Sequence, residues 1–429
     1  MKTVIKAIVT IIIVSFYFFP FEFKFLPGIN TKMALAVIGL CLLGINLSRN
    51  RLASFSKDFF QLSLWALAIS IMSIVSTTYN HTNDYSFVGF IVSMWVWLSA
   101  AYCVIQWIHL THETFRIETI INYLLTVCVI QCVIAYSMDI FTPLKDFINS
   151  FLGGDEAAFG VAEGRLYGIG AALDVAGFRF AAVLVMLAYL SMNIDRISTF
   201  QAVLYILSFL VLAIIGNMIS RSTTIGVVIA LIYWLVINFL PSDDAKKTSR
   251  AKFIKSALCM SLLIIPIIVY LYTNNPIFRE NLRFGFEGFF SLAETGKWQV
   301  GSNDILLNHM IVFPDEFKTW ILGDGYSANP YMDPYYVGPH YHGYYMGTDI
   351  GYLRFIFYFG IIGMLSYVMF ILKSFKVCTQ WHSGYSIMFF MVLIVNLIGW
   401  AKVATDIFLV FALFICFALC CKTQTVSDT

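Results

Sequence analysis

Residues 200–240 read FQAVLYILSFLVLAIIGNMISRSTTIGVVIALIYWLVINFL, and Arg221 is the one charged side chain among them. Two apolar runs, 200–219 and 222–240, flank that arginine. Each is close to the ~20 residues that a helix needs to cross a bilayer. The pattern recurs at 4–20, 33–47, 59–77, 87–109, 119–138, 173–193, 256–272, 351–372, 385–400 and 406–421. The chain has 429 residues, 59% hydrophobic and 12% charged, where a soluble domain carries about 25% charge. A soluble enzyme and a disordered chain are excluded. A net charge of +2 gives no bulk attraction to a polyanion, so nucleic acid is excluded as a partner. The expected fold is an all-α polytopic membrane protein with about twelve transmembrane helices.

Basic residues set the expected orientation. One set of connections carries Lys2, Lys6, Arg49, Arg51, Lys57, Arg116, Arg196, Lys246, Lys247, Arg250, Lys252, Lys255, Lys373, Lys376 and Lys422. The opposite set, its long loop aside, carries only Lys24, Lys32, Lys145, Arg165, Arg221 and Lys402. Both termini are therefore predicted on the cytoplasmic side. The first run starts like a secretory signal, with Lys2 and Lys6, but ends in Phe16-Tyr-Phe-Phe-Pro20 without a small-residue cleavage site, so it is expected to be retained. Of the nine cysteines, eight fall in predicted spans and Cys378 in a cytoplasmic loop, a distribution that indicates no disulfide framework. Cys128 and Cys132, one helical turn apart, read as small packing residues.

The predicted cytoplasmic loops are short, the longest at about 241–255, and hold no Walker or dinucleotide-binding pattern. Two outer loops are long, 139–172 and 273–350, the second lying between spans nine and ten. The second contains Phe286-Glu-Gly-Phe-Phe290, Ile305–Phe313 and Trp320-Ile-Leu322, which predict short helices on the membrane surface. The whole of 1–429 reads as one transmembrane domain.

Residues 326–345 hold seven tyrosines. A flat apolar ring with a polar tip suits a sugar; it equally suits an interfacial aromatic belt. Arg221 stands before the outward N-terminus of a span, where the helix dipole disfavours a cation. With Ser220, Ser222, Thr223 and Thr224 it would make a phosphate site, or else it reaches lipid headgroups. Arg165, Asp174 and Arg179 flank the start of span six; charges there are costly unless paired or used. Asp349 and Arg354 open span ten, Asp349 as a cap or as a site carboxylate. His340 and His342 flank Tyr341; an H-x-H with no third ligand nearby argues against a metal and leaves a base, a sugar contact or surface histidines.

Arginines, carboxylates and tyrosines at one membrane boundary suit a lipid-linked diphosphate sugar. At Phe313-Pro314, Trp320–Tyr326, Thr348–Arg354 with Phe357–Gly363, and Ser220–Thr224, the chain resembles a bacterial O-antigen or capsule polymerase of the Wzy type, a family related to the O-antigen ligases. The resemblance implies a helical glycosyltransferase fold of the GT-C kind. It also implies polymerisation of undecaprenyl-diphosphate-linked oligosaccharide repeat units on the periplasmic face of the inner membrane, with no nucleotide, metal or cofactor. Arg221 matches the loop arginine that meets the diphosphate; Arg165, Arg179 and Arg354 are further diphosphate candidates. Asp349, His340 and His342 are the candidates for catalysis, and Tyr326, Tyr341, Tyr344 and Tyr352 for the glycan. Membrane lipids, a chain-length regulator and a flippase are the expected partners. A ligase using a lipid A core acceptor, or a non-enzymatic flippase or transporter, are the alternatives.

Overall fold

The computed structural model describes residues 2–48, 56–112, 115–153, 165–241, 243–334, 336–341 and 343–427. His342, Tyr335, Glu163, Arg49 and Arg51 lie outside them, as does the side chain of Cys421. All twelve predicted apolar runs are helical: α1 (Lys2–Phe18), α2 (Thr31–Ser48), α3 (Ser56–Asn80), α4 (Phe90–Thr111), α5 (Ile117–Ile140), α7 (Leu173–Asn193), α8 (Thr199–Ile219), α9 (Thr223–Phe239), α10 (Asp244–Asn274), α15 (Gly351–Trp381), α16 (Ser386–Gly399) and α17 (Phe408–Ser427). Eight helices among the described residues are long and apolar enough to cross a membrane, and α1, α9, α16 and α17 are shorter apolar helices. The two long loops are structured. The first holds α6 (Thr142–Phe151) and the second α11 (Pro276–Gly285), α12 (Glu287–Thr295), α13 (Gly301–His309) and α14 (Phe317–Leu322). A short antiparallel pair that the sequence does not announce joins β1 (Glu22–Phe23) to β2 (Leu152–Gly153).

The chain forms two compact units, Met1–Leu35 with Gln106–Trp298, and Ala36–Ile105 with Gln299–Thr429. In the first unit α7 is the axis, with 94% of its most apolar window buried. Its small residues Ala176, Gly177, Ala181 and Ala182 let neighbouring backbones come close, as expected where packing rather than water drives association. A Cβ at Gly226 of α9 would run into the Ala181 backbone.

In the second unit α15 is broken at Phe359 and Gly360, which leave helical geometry. The carbonyls freed by the break are satisfied from outside the helix. Asp324 N–H donates to Phe357 O at 2.6 Å and Gly325 N–H to Tyr358 O at 3.1 Å; the Ser76 hydroxyl adds a bond to Tyr358 O at 2.6 Å. Two stretches separated in sequence, Gly323-Asp-Gly325 and Gly351–Gly363, thus make one structural piece.

Two expectations need correction. The predicted loop 241–255 is helical from Asp244 onward, because its alanines, lysines and arginine are good helix formers and hydropathy alone cannot see a helix continue past its apolar part. Arg250 within it is 6% exposed; it donates to Met192 O at 3.1 Å and Ile237 O at 2.8 Å, completing the carboxyl ends of α7 and α9. Likewise α15 continues to Trp381, so Cys378 is a buried helix residue whose thiol donates to Phe411 O, not part of a loop.

Candidate functional site

In the first unit, the turn between α8 and α9 presents Arg221, and α11 leads into α12 beside it. The Arg221 guanidinium donates from Nε to Phe284 O at 2.9 Å. It pairs with Glu287 at 2.6 Å and lies 4.2 Å from the centroid of the Phe284 ring. Arg165 approaches the same ring at 5.2 Å. Burial pulls the Arg221 pKa below its ordinary value; Glu287 opposes this, Arg165 adds to it and Asp174 opposes it. Arg179 goes elsewhere. It is 6% exposed on α7, with its guanidinium 5.6 Å from the Phe19 ring.

In the sequence Arg221 has an unfavourable dipole and no local partner; the structure gives it two partners. The dipole of α9 does disfavour it, but Glu287 and the Phe284 carbonyl offset that cost. The hydroxyls around it also differ from the expected open cradle. Ser220 donates to Asp174 Oδ1 at 2.9 Å and Ser222 donates to the same oxygen. Thr223 donates to Gly216 O at 3.1 Å and Thr224 to Asn217 Oδ1 at 2.7 Å. All four are engaged within the protein, so cation groups rather than hydroxyls are what an anion would meet. Glu287 and Phe284 were missed in the sequence because Phe286-Glu-Gly-Phe-Phe290 reads as an apolar stretch interrupted by one acid.

In the second unit, Arg354 projects from the first turns of α15. Its guanidinium carbon stands 3.4 Å from the centroid of the Tyr344 ring, and Nη2 donates to Ser327 O at 3.3 Å and Ser327 Oγ at 3.1 Å. Ser327 and Ala328 in turn donate their backbone N–H groups to Asp84 Oδ2 at 2.7 and 2.8 Å. Asp349 and Asp84 are carboxylates whose charge acts on Arg354. The N-cap position of α15 is Ile350, whose N–H donates to the Thr348 hydroxyl at 3.3 Å.

The tyrosines form a packed cluster more than an open strip. Tyr326 contacts Tyr336 and Tyr345, each with ring centroids 5.4 Å apart, and donates to Asp333 at 2.9 Å. Tyr341 packs on Tyr345 and donates to Met346 Sδ. Tyr352 donates to Leu397 O at 2.8 Å. Tyr344 and Tyr331 are exposed, at 40% and 65%. Burial first, then neighbouring Tyr341, pushes the Tyr336 phenol up to about 12, so it is a neutral hydrogen-bonding group. His340 is exposed and its ring is 4.8 Å from that of Tyr331. Asp324, which sequence reasoning did not single out, accepts from Lys318 at 2.6 Å, Thr319 at 2.7 Å and Tyr345 at 3.2 Å; Lys318 also reaches Asn80 at 2.8 Å.

Fold and geometry together define an all-α polytopic membrane protein with an arginine–carboxylate cluster in each of its two units. No protein-family model, no curated protein and no solved structure matches the chain.

Proposed function

We propose that the protein is a glycosyltransferase that polymerises polyprenyl-diphosphate-linked oligosaccharides, an O-antigen or capsule polymerase of the Wzy kind. In this reading all twelve apolar helices cross the bacterial inner membrane and the 273–350 segment faces the periplasm. The observation that carries it is Arg221 paired to Glu287, with Arg165 at the same Phe284 ring. Two guanidiniums gather there with Glu287 and Asp174, and Asp174 is already held by the Ser220 and Ser222 hydroxyls. An incoming diphosphate offers Arg221 a more highly charged, bidentate partner than a single carboxylate. It would take Arg221 from Glu287 and release that carboxylate for chemistry.

The step balances without a metal. An acceptor hydroxyl attacks the anomeric carbon, the bond from that carbon to the diphosphate oxygen breaks, and the diphosphate leaves with the electron pair. The hydroxyl proton passes to Glu287. Arg221 and Arg165 hold the charge that develops on the leaving oxygen. In the second unit, Arg354 and the exposed Tyr344 and Tyr331 offer a cation and aromatic faces to the polar rim and the C–H face of a sugar.

One feature favours a transporter instead: α15 is a broken helix, as in many carriers. Its freed carbonyls are held by Asp324, Gly325 and Ser76 rather than left to an ion, which supports the enzyme reading. The test is the full-length protein in lipid with a purified diphosphate-linked repeat unit as sole substrate. A ladder of longer lipid-linked glycans is the expected product. Transport of intact donor across the vesicle with no ladder would replace the polymerase by a carrier.

A further inference from the structure

Helix α10 has 31 residues, about 46 Å at ~1.5 Å per residue, against about 30 Å of hydrocarbon in a bilayer. Its charged first turns therefore stand outside the hydrocarbon. Its apolar window is 0% buried, with Leu258, Leu262 and Leu263 at 63%, 75% and 64% exposure. Where charge gives way to apolar sequence, α10 and the first turn of α8 enclose a groove of about 500 Å³. Along α10 the lining runs from Thr248 through Lys252, Lys255 and Ser256 to Cys259 and Met260, and α8 contributes Thr199 and Val203. Residues three and four apart share a helix face, so a single stripe of α10 passes from ammonium groups to thiol and thioether.

Positive charge is concentrated at the polar end. The Lys252 ammonium donates to Ile197 O at 3.1 Å, immediately before Ser198, which caps α8 by accepting from Gln201 N–H. The positive end of a 21-residue helix therefore adds to two lysines, and no carboxylate lines the groove among the described residues.

We propose that this groove is a binding site for an anionic phospholipid. The phosphate lies on Lys252 and Lys255 beside the Thr199 and Ser256 side chains, and one acyl chain runs over Val203 and Met260 onto the exposed leucines of α10. A free phosphate would use only the polar end and leave the apolar end bare. Basic residues beside a span draw the anionic lipids of the cytoplasmic leaflet, which is the side the basic-residue count gives to this end of α10. The site requires the protein to be in a membrane and does not depend on which reaction it performs.

Native mass spectrometry of the full chain in neutral detergent tests it, with phosphatidylglycerol, phosphatidylcholine and inorganic phosphate as probes. One phosphatidylglycerol per chain should be retained in preference to phosphatidylcholine. Lys252→Gln with Lys255→Gln should weaken retention about thirtyfold, and Lys255→Gln alone, which keeps the Lys252–Ile197 bond, about fivefold. Lys247→Gln, on the same helix outside the groove, should change nothing. Equal retention of phosphatidylcholine, or an equal effect of Lys247→Gln, would reduce the attraction to diffuse charge and overturn the site. Displacement of the lipid by millimolar phosphate would overturn the amphiphile as its ligand. No turnover is needed, so the result stands apart from the polymerisation assay.

Discussion

Arg221 and Glu287, carried by a turn between two apolar helices and by the start of a short loop helix, meet at 2.6 Å with side chains 19% and 38% exposed. A pair in that intermediate burial has two roles to separate, one in folding and one in chemistry. For folding, Arg221→Ala leaves Glu287 partly buried without its partner. The expected loss is on the order of 1–2 kcal/mol, between the values for exposed and buried pairs. Adding Glu287→Gln should recover part of it. A double-mutant cycle from unfolding in detergent measures the coupling; purely additive losses would mean that the pair contributes nothing to stability.

For chemistry, the same residues should respond differently. Glu287→Gln keeps the size and a hydrogen-bonding tip but removes the proton acceptor. Polymer should fall at least a hundredfold, the lower range of a general base, with the protein still present in membranes. Arg221→Lys should retain partial activity, because one ammonium cannot serve Phe284 O and a diphosphate as a planar fork does. The readout is the glycan ladder beside membrane protein levels. A full-length ladder from Glu287→Gln would move the base elsewhere.

The apolar helices were legible because the bilayer demands long uncharged runs, and each run appears as a helix. What hydropathy could not give was where a helix goes on beyond its apolar part, as in α10 before Ser256 and α15 after Lys373. Nor could it give tertiary partners. Arg221 was legible as an exception within 200–240, but Glu287 was hidden in an aromatic stretch and no local pattern links the two. The tyrosines of 326–345 were legible as a cluster; that most would pack on one another, leaving Tyr331 and Tyr344 exposed, depends on how the loop folds over α15. The β1–β2 pair, two residues per strand, is too short to leave a period.

Gly360 has φ +71, and a Cβ there would sit on the Ile321 carbonyl. Gly360→Ala therefore meets both a backbone penalty of about 1–3 kcal/mol, in a φ/ψ region that is essentially open to glycine alone, and a backbone clash that cannot relax without shifting α14. Folded protein should drop several-fold on size-exclusion chromatography of solubilised membranes, while Gly44→Ala, with open space around it, should not change. A wild-type yield from Gly360→Ala would mean that the break in α15 is dispensable.

Orientation is testable without any substrate. The basic-residue asymmetry predicts that a phosphatase fused near residue 300 is active and that one fused after α17 is inactive, with a cytoplasmic reporter giving the reverse. The opposite pattern would put the α11–α14 segment on the cytoplasmic side and remove periplasmic polymerisation from consideration.

At the start of α15 the two neighbours Thr348 and Asp349 should separate cleanly. The Thr348 hydroxyl receives the Ile350 N–H and the side chain is fully buried, so Thr348→Val should lower stability by about 1 kcal/mol, as loss of a helix-terminal hydrogen bond does. Asp349 acts on Arg354 through its charge, and Asn accepts a hydrogen bond at a helix start about as well as Asp. Asp349→Asn should therefore leave unfolding nearly unchanged and lower polymer output about tenfold or more, through a misplaced Arg354. Arg354→Lys should resemble it, since an ammonium cannot both stack flat on Tyr344 and reach Ser327. The unfolding midpoint and the glycan ladder are measured on the same preparations. If Asp349→Asn lowers stability as Thr348→Val does and leaves the ladder intact, the carboxylate is structural and the Arg354 cluster has no part in polymerisation.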